Sequence, residues 1–168
     1  GLVPPFGDYR PAKTIGFDPE GARKLLAEAG YPGGEGIPEI EYLTTDKETS
    51  KATAEALQAM WKDNLGVSVR IKQMEWTSYI TTMFEKDYGL AAGGWIGDYL
   101  DPLTFLDMWM KDGGNNRTGW HNEDFEALLK KAGNTGDPGA RYRILEEAEA
   151  LFLSETPILP LFWYTRNY

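Results

Sequence analysis

The chain has 168 residues, 42% of them hydrophobic and 26% charged, which is enough to bury a core and argues against wholesale disorder. Its formal net charge of −9, without any cluster of Lys or Arg, argues against nucleic acid and against anionic membrane surfaces as partners. The absence of cysteine excludes disulfides, thiolate metal sites and a cysteine nucleophile, and no apolar run approaches the ~20 residues of a membrane-spanning helix.

Helix signals recur through the first half of the chain. Residues 1–16 lack them and are expected to be an extended lead-in. Asp18 followed by Pro and Glu predicts a helix that ends at Gly30. A second helix, capped by Thr49 or Ser50, carries an apolar stripe and stops at Gly66. The stripe consists of Ala54, Leu57, Trp61 and Leu65. A third helix is predicted over residues 76–85, and Trp61 and Trp76 are expected in the core.

Strand signals fall between these helices. Alternating side chains predict strands at residues 39–45 and 67–72, and an apolar run predicts a third strand at residues 88–94. Helices and strands that alternate in this way indicate an α/β fold with at least some parallel pairing.

The second half is mainly helical. A short helix is predicted over residues 103–110, a helix capped by Asn122 follows, and another begins at Asp137–Pro138. The acidic run from Glu146 to Glu149 is interpreted as a solvated helix face. Residues 157–164 are strand-like and apolar. Because the chain begins at Gly1 rather than Met and stops soon after this apolar segment, we expect both ends to be cuts.

Residues 93–102, Gly-Gly-Trp-Ile-Gly-Asp-Tyr-Leu-Asp-Pro, follow the third predicted strand. Glycines at 93, 94 and 97 would let another backbone or a ligand approach closely. Two interpretations remain open from these residues alone: a binding site at the end of a strand, or a glycine-rich connection with a core tryptophan.

Possible catalytic groups are few. Asp98 and Asp101 form a candidate acid–base pair, as in a glycosidase, but Asp101 is better placed to cap the helix begun by Pro102. His121 is the sole histidine, so it is interpreted as a surface or capping residue, without a second histidine for a metal site.

Several segments, in this order, carry a resemblance to a known family. They are residues 18–32, residues 56–67, Glu75–Trp76, residues 94–102, Asn115–Asn116, Arg141 with Ala148–Glu149, and residues 157–161. Together they resemble the C-terminal lobe of bacterial extracytoplasmic solute-binding proteins of the oligopeptide/dipeptide-binding family, which serve ABC importers. The resemblance covers essentially the whole chain.

The resemblance implies a periplasmic-binding-protein-like lobe with a central mixed, partly parallel sheet flanked by helices. Residues 1–168 would be a single domain, the second, ligand-closing lobe of a two-lobed protein whose first lobe and returning C-terminal segment are absent. It implies a location in the bacterial envelope, periplasmic or at the cell surface, where the parent could carry a lipid anchor. The implied partners are a small peptide or other small solute and the permease subunits. The resemblance implies no catalytic residues, no cofactor and no metal in this chain.

The resemblance also implies a site, residue by residue. Asp98 resembles the carboxylate that pairs with the α-ammonium group of a bound peptide. Backbone groups of Gly94 and Ile96 resemble those that bind the peptide main chain as an added strand would. Trp95 resembles a pocket wall, and Asn115 a further polar contact to the peptide backbone.

Two alternatives to peptide binding stay open. The same motif occurs in relatives that bind other solutes, so this fold could hold a metal chelate, an oligosaccharide or an opine. From a different class, a hydrolase could use Asp98 and Asp101.

Overall fold

The computed structural model describes residues 1–13 and 16–164. The chain divides into two compact units. The sheet unit lies within residues 15–94, and the helical unit combines the N-terminal segment with the residues from Trp95 onward. The elements of the sheet unit are α1 (Pro19–Glu28), β1 (Ile40–Thr45), α2 (Glu48–Leu65), β2 (Val69–Met74), α3 (Trp76–Glu85) and β3 (Leu90–Ala91). Those of the helical unit are 3₁₀ turns at Pro102–Phe105 and Asp107–Trp109, then α4 (Glu123–Gly133) and α5 (Pro138–Ser154).

The sheet unit is built on parallel strands in the order β2-β1-β3. The central strand β1 pairs with β2 from Ile40 opposite Val69 onward, and with β3 at Tyr42 opposite Leu90. Helices α2 and α3 make the two crossovers, as parallel pairing requires. The predicted α/β class is therefore confirmed, and in the described residues the sheet is parallel throughout rather than mixed.

Helices cover both faces of this sheet because successive residues of β1 point to opposite sides. On one face, the ring of Tyr42 meets that of Trp61 from α2 edge to face, with centroids 6.1 Å apart. On the other face, Leu43 packs with Tyr79 and Met83 of α3. The apolar stripe predicted on α2 is confirmed: it consists of Ala54, Leu57, Trp61 and Leu65.

The helical unit encloses its own core between α4, α5 and the N-terminal segment. Phe125 of α4 and Phe152 of α5 are fully buried, together with Val3 and Tyr9 from the lead-in. Residues 1–13 contain no helix or strand, as predicted, whereas Thr14 and Ile15 of the predicted 1–16 lead-in lie outside the described residues.

Glu149 corrects one expectation. The acidic run on α5 was interpreted as solvated, yet Glu149 is fully buried. Its carboxylate accepts hydrogen bonds from the Val3 and Ala12 backbone N–H groups and from the Tyr9 hydroxyl, at 2.6–2.9 Å. These donors offset the cost of burying the charge and fasten the lead-in to α5.

Helix caps were predicted well where the signal is local. Asp18, Asn122 and Asp137 each accept a backbone N–H at the start of α1, α4 and α5. The predicted cap of α2 was wrong: the helix begins at Glu48 after Lys47, and the Ser50 hydroxyl lies inside it and accepts a hydrogen bond from the Thr45 hydroxyl at 2.8 Å.

Three apolar segments differ from their predictions. Residues 103–110 form two 3₁₀ turns rather than one helix, since the fully buried Leu106 lies between them at a φ of −108°. Residues 157–164 form no strand, because Pro157 and Pro160 cannot donate to a ladder. The third strand is confined to Leu90–Ala91, before the glycines.

None of the helices in the described part of the chain is long and apolar enough to span a membrane.

Candidate functional site

The carboxyl edge of the parallel sheet is the first element of the site. From β1 the chain crosses to β2 on one side, and from β2 it returns to β3 on the other side of β1. Ligands of open α/β sheets bind outside the carboxyl ends of the strands at such a reversal of strand order. The segment that leaves β3 at this point is Ala92-Gly93-Gly94.

Side chains of α3 fix the path of this segment. The Tyr79 hydroxyl donates to the Ala92 carbonyl, and the Ala92 N–H donates to the Leu43 carbonyl at 2.8 Å. Gly93 and Gly94 beyond are exposed, and a Cβ added at Gly93 would meet no atom within 4 Å. Gly94 thus ends the sheet unit with an accessible backbone, as its predicted role requires.

Trp76 was expected in the core, but 54% of it is exposed. It begins α3 directly after β2, so it lies at the carboxyl edge and stacks on Tyr79 with ring centroids 5.8 Å apart. The Lys47 ammonium lies 5.7 Å from the Trp76 ring centroid. The sequence did not lead us to predict this exposed aromatic surface. The available signal was the position of Trp76 at the first residue of a helix that follows a strand.

In the helical unit, residues 95–98 are attached to one buried residue, Thr104. The Trp95 indole N–H donates to the Thr104 carbonyl at 2.9 Å. The Asp98 backbone N–H donates to the Thr104 hydroxyl oxygen at 3.0 Å. Ile96 between them is 73% exposed, and Trp95 is half-buried. The segment is therefore an anchored loop that presents the Ile96 backbone and the Asp98 side chain outward.

The Asp98 carboxylate is exposed, and within the described residues it makes neither a hydrogen bond nor an ion pair. It is thus available to an external donor. Gly97, in contrast, serves the protein itself: a Cβ there would lie 2.9 Å from the Thr104 methyl group and 3.1 Å from the Phe105 ring.

Asp101 is not available in this way. Its carboxylate pairs with both terminal nitrogens of Arg141 on α5, at 2.7 and 2.8 Å, and also accepts the Leu103 N–H at 2.8 Å. Burial alone would raise the pKa of the Asp101 carboxyl, but Arg141 and the Leu103 N–H outweigh it and hold the pKa below its usual value. The predicted capping role is confirmed. A carboxylate held in this state is unsuited to act as the general acid of an Asp98–Asp101 pair.

Asn115 lies in a different loop of the helical unit. It is half-buried, and in the described residues no hydrogen bond joins it to residues 95–98. Its neighbour Asn116 organises that loop: the buried side chain donates to the Trp109 and Trp120 carbonyls at 3.0 and 2.8 Å and accepts from Thr118. The sequence does not indicate which of the adjacent residues Asn115 and Asn116 is buried.

Asp98 is therefore the exposed, unpaired carboxylate of this loop, whereas Asp101 is paired with Arg141. Residues 1–117 match the family described as bacterial extracellular solute-binding proteins, family 5 Middle. The chain belongs to this family of solute-binding proteins.

Curated relatives carry names of peptide receptors. The chain is 37% identical over 146 residues to the oligopeptide-binding protein OppA of Bacillus subtilis, covering 86% of this chain and 27% of that protein. It is 32% identical over 170 residues to the dipeptide-binding protein DppE of the same organism, covering 99% of this chain and 31% of that protein.

Solved structures agree with the fold. A periplasmic oligopeptide-binding protein of Borrelia burgdorferi superposes with a TM-score of 0.84 at 34% identity, over 91% of this chain and 31% of that one. Haemophilus influenzae OppA superposes with a TM-score of 0.82 at 28% identity, over 87% of this chain and 29% of that one. The chain thus spans less than a third of the length of these relatives.

Proposed function

We propose that this chain is the second, ligand-closing lobe of the substrate-binding component of an ABC importer, and that it closes over a short peptide held between two lobes. The observation that carries the proposal is the unpaired, exposed Asp98 carboxylate on its anchored loop, in a chain of this family. The relatives named for oligopeptide or dipeptide binding support it, as does the structure of Haemophilus influenzae OppA in complex with the peptide RPPGFSPFR.

Each of the predicted site residues has a proposed role. Asp98 pairs with the α-ammonium group of the peptide, which needs a charge-assisted partner once the closing cleft removes its water. Exposed backbone groups of Gly94 and Ile96 bind the peptide main chain, and the half-buried Trp95 forms a pocket wall. Asn115 supplies a further polar contact. Main-chain recognition accepts many sequences because every peptide carries the same backbone.

The proposed location is the bacterial envelope, and the proposed macromolecular partners are the permease subunits. Relatives from Salmonella typhimurium and Escherichia coli are named periplasmic, which supports that location. Hinge closure around the ligand would present the closed form to the permease.

The test is the Asp98→Asn variant of the full-length protein that contains this chain, titrated calorimetrically with trialanine. We expect affinity to fall about a hundredfold, because removing one member of a desolvated charge pair leaves the other buried without compensation. N-acetyl-trialanine, which lacks the ammonium group, should bind the wild type weakly and should lose no affinity in the variant, because Asp98→Asn then removes no charge pair.

Asp112→Asn is the matched control, since it removes an exposed carboxylate of the same unit outside the motif. It should bind trialanine as the wild type does. Equal affinity of Asp98→Asn and wild type for trialanine would contradict the ammonium pairing, and a wild type that binds no peptide would contradict the function itself.

A non-peptide solute is the second candidate. One relative, 29% identical over 142 residues, is an Escherichia coli periplasmic protein named as a probable deoxycholate-binding protein, so the family is not restricted to peptides by name. A metal chelate, an oligosaccharide or an opine belongs to the same candidate class. For such a ligand without an ammonium group, Asp98→Asn would change affinity little.

A further inference from the structure

Thr104 holds both ends of the loop that carries Asp98, although it lies outside the site assigned above. It is 1% exposed. Its carbonyl accepts the Trp95 indole N–H at 2.9 Å, and its hydroxyl oxygen accepts the Asp98 backbone N–H at 3.0 Å. One buried residue thus fixes the indole through a main-chain atom and the Asp98 backbone through a side-chain atom.

Packing leaves this loop little freedom. Gly97, between the two anchored residues, lies so close to the Thr104 methyl group and the Phe105 ring that a Cβ would meet them at 2.9 and 3.1 Å. Thr104 is itself held in the 3₁₀ turn that Asp101 caps, and its backbone N–H donates to the Asp101 carbonyl at 3.2 Å. The bidentate pair between Asp101 and Arg141 ties that turn to α5.

We propose that Thr104 is a positioning residue for solute binding: its hydroxyl fixes the Asp98 backbone so that the carboxylate faces the ligand cation before the ligand arrives. The proposal rests on the proposed function and adds a residue that does not touch the ligand. A preorganised carboxylate binds more tightly because the ligand does not have to order the loop.

Thr104→Val tests the hydroxyl alone. Valine keeps the shape of threonine and the main-chain carbonyl that holds Trp95, but it removes the acceptor for the Asp98 N–H. In the full-length protein we expect the affinity for trialanine to fall about threefold to tenfold, the loss of one hydrogen bond. N-acetyl-trialanine should bind the Thr104→Val protein as it binds the wild type, since it does not use the Asp98 charge. Thr104→Ser, which retains the hydroxyl, should restore trialanine binding to within about twofold.

Two results of these titrations would overturn the proposal: equal losses for both peptides, which indicate general damage to the fold, or no loss for trialanine. In an Asp98→Asn background, Thr104→Val should have no further effect on trialanine, because the carboxylate that it positions is gone.

Hydrogen exchange at the Asp98 amide separates this proposal from the proposed function. In Thr104→Val the amide should exchange at least about tenfold faster than in the wild type, and in Thr104→Ser at nearly the wild-type rate. If the wild type binds neither peptide, the peptide function fails while this measurement still decides whether Thr104 holds residue 98. An unchanged exchange rate in Thr104→Val would overturn the positioning role whatever the ligand is.

Discussion

The contact between Tyr9 and Glu149 is one of the hydrogen bonds that fasten the lead-in segment to α5. The Tyr9 hydroxyl donates to the Glu149 carboxylate at 2.6 Å, and both residues are fully buried. Burial, followed by this hydrogen bond, raises the pKa of Tyr9 well above its usual value of 10. The folded state therefore holds the Tyr9 proton more tightly than the unfolded state does.

The consequence is a testable loss of stability at alkaline pH. Because the folded-state pKa is raised, the contribution of Tyr9 is complete below pH 10 and declines as the pH rises above that value. We expect Tyr9→Phe to lower the free energy of unfolding by about 1 kcal/mol at neutral pH and to flatten its decline above about pH 10. Urea unfolding at a series of pH values measures both effects.

The control is Tyr31→Phe, which changes a partly exposed tyrosine of the sheet unit. It should leave the alkaline slope of the unfolding free energy as in the wild type. An identical slope in Tyr9→Phe and wild type would mean that the buried hydroxyl does not control the alkaline transition.

At the scale of elements, the end of α2 depends on Gly66. This residue has a φ of +71°, and its N–H donates to the Lys62 carbonyl at 3.0 Å to close the helix. A Cβ at this position would also overlap the carbonyl oxygen of Gly33, which lies in a 3₁₀ turn at Pro32–Gly34. The glycine therefore serves two purposes: the left-handed conformation and the close approach of another backbone segment.

We expect Gly66→Ala to lower the free energy of unfolding by about 3 kcal/mol, from left-handed strain together with the displaced turn. Gly30→Ala is the matched control. Gly30 has a φ of +92° after α1, but a Cβ there would meet no atom within 4 Å, so about 1 kcal/mol of strain is expected. Equal losses in chemical denaturation of the two variants would contradict the role of the close approach.

At the scale of the whole molecule, the chain matches 27% and 31% of two curated relatives. Under the proposal that it is one lobe of a longer protein, both lobes of that protein would select the ligand. We expect that protein, purified under native conditions and then denatured, to release a ladder of short peptides detectable by mass spectrometry. The ladder is expected because recognition of the main chain does not select a single sequence.

The same measurement distinguishes the two candidate functions. A single non-peptide species would leave the family and the fold unchanged and would replace the proposed function with the second candidate. The Asp98→Asn protein should retain much less peptide than the wild type, whereas the Asp112→Asn protein should retain as much as the wild type. This difference would show that the released peptides were bound at the proposed site.

Much of the fold was predictable because its signals act over a few residues. Helix α3 occupies the predicted residues 76–85, and Asn122 caps α4 as expected, since a side-chain oxygen reaches the N–H groups of its own first turn. Alternation within residues 39–45 predicted strand β1, and the helices between the strands predicted at least some parallel pairing. Residues 94–102 likewise marked the Asp98 loop and the capping role of Asp101 by their order in the chain.

Residues whose environment is made by distant segments were not predictable in this way. The acidic run suggested that Glu149 is solvated, but the lead-in segment packs over it and donates hydrogen bonds to its carboxylate. One of these bonds joins Val3 and Glu149, which are 146 positions apart in the chain. Thr104 carried no signal at all, because its importance arises from two contacts with a loop that precedes it.

The sequence by itself determined the order of helices and strands in the sheet unit and the position of the Asp98 motif, because each depends on residues adjacent along the chain. It also indicated the family, through motifs that follow one another in order. Only the tertiary structure decided which carboxylates are free: Arg141 neutralises Asp101 from 40 positions away, whereas Asp98 remains exposed. The physical reason is that hydrogen-bond pairing and burial depend on which segments meet in space, and spacing along the chain does not specify those meetings.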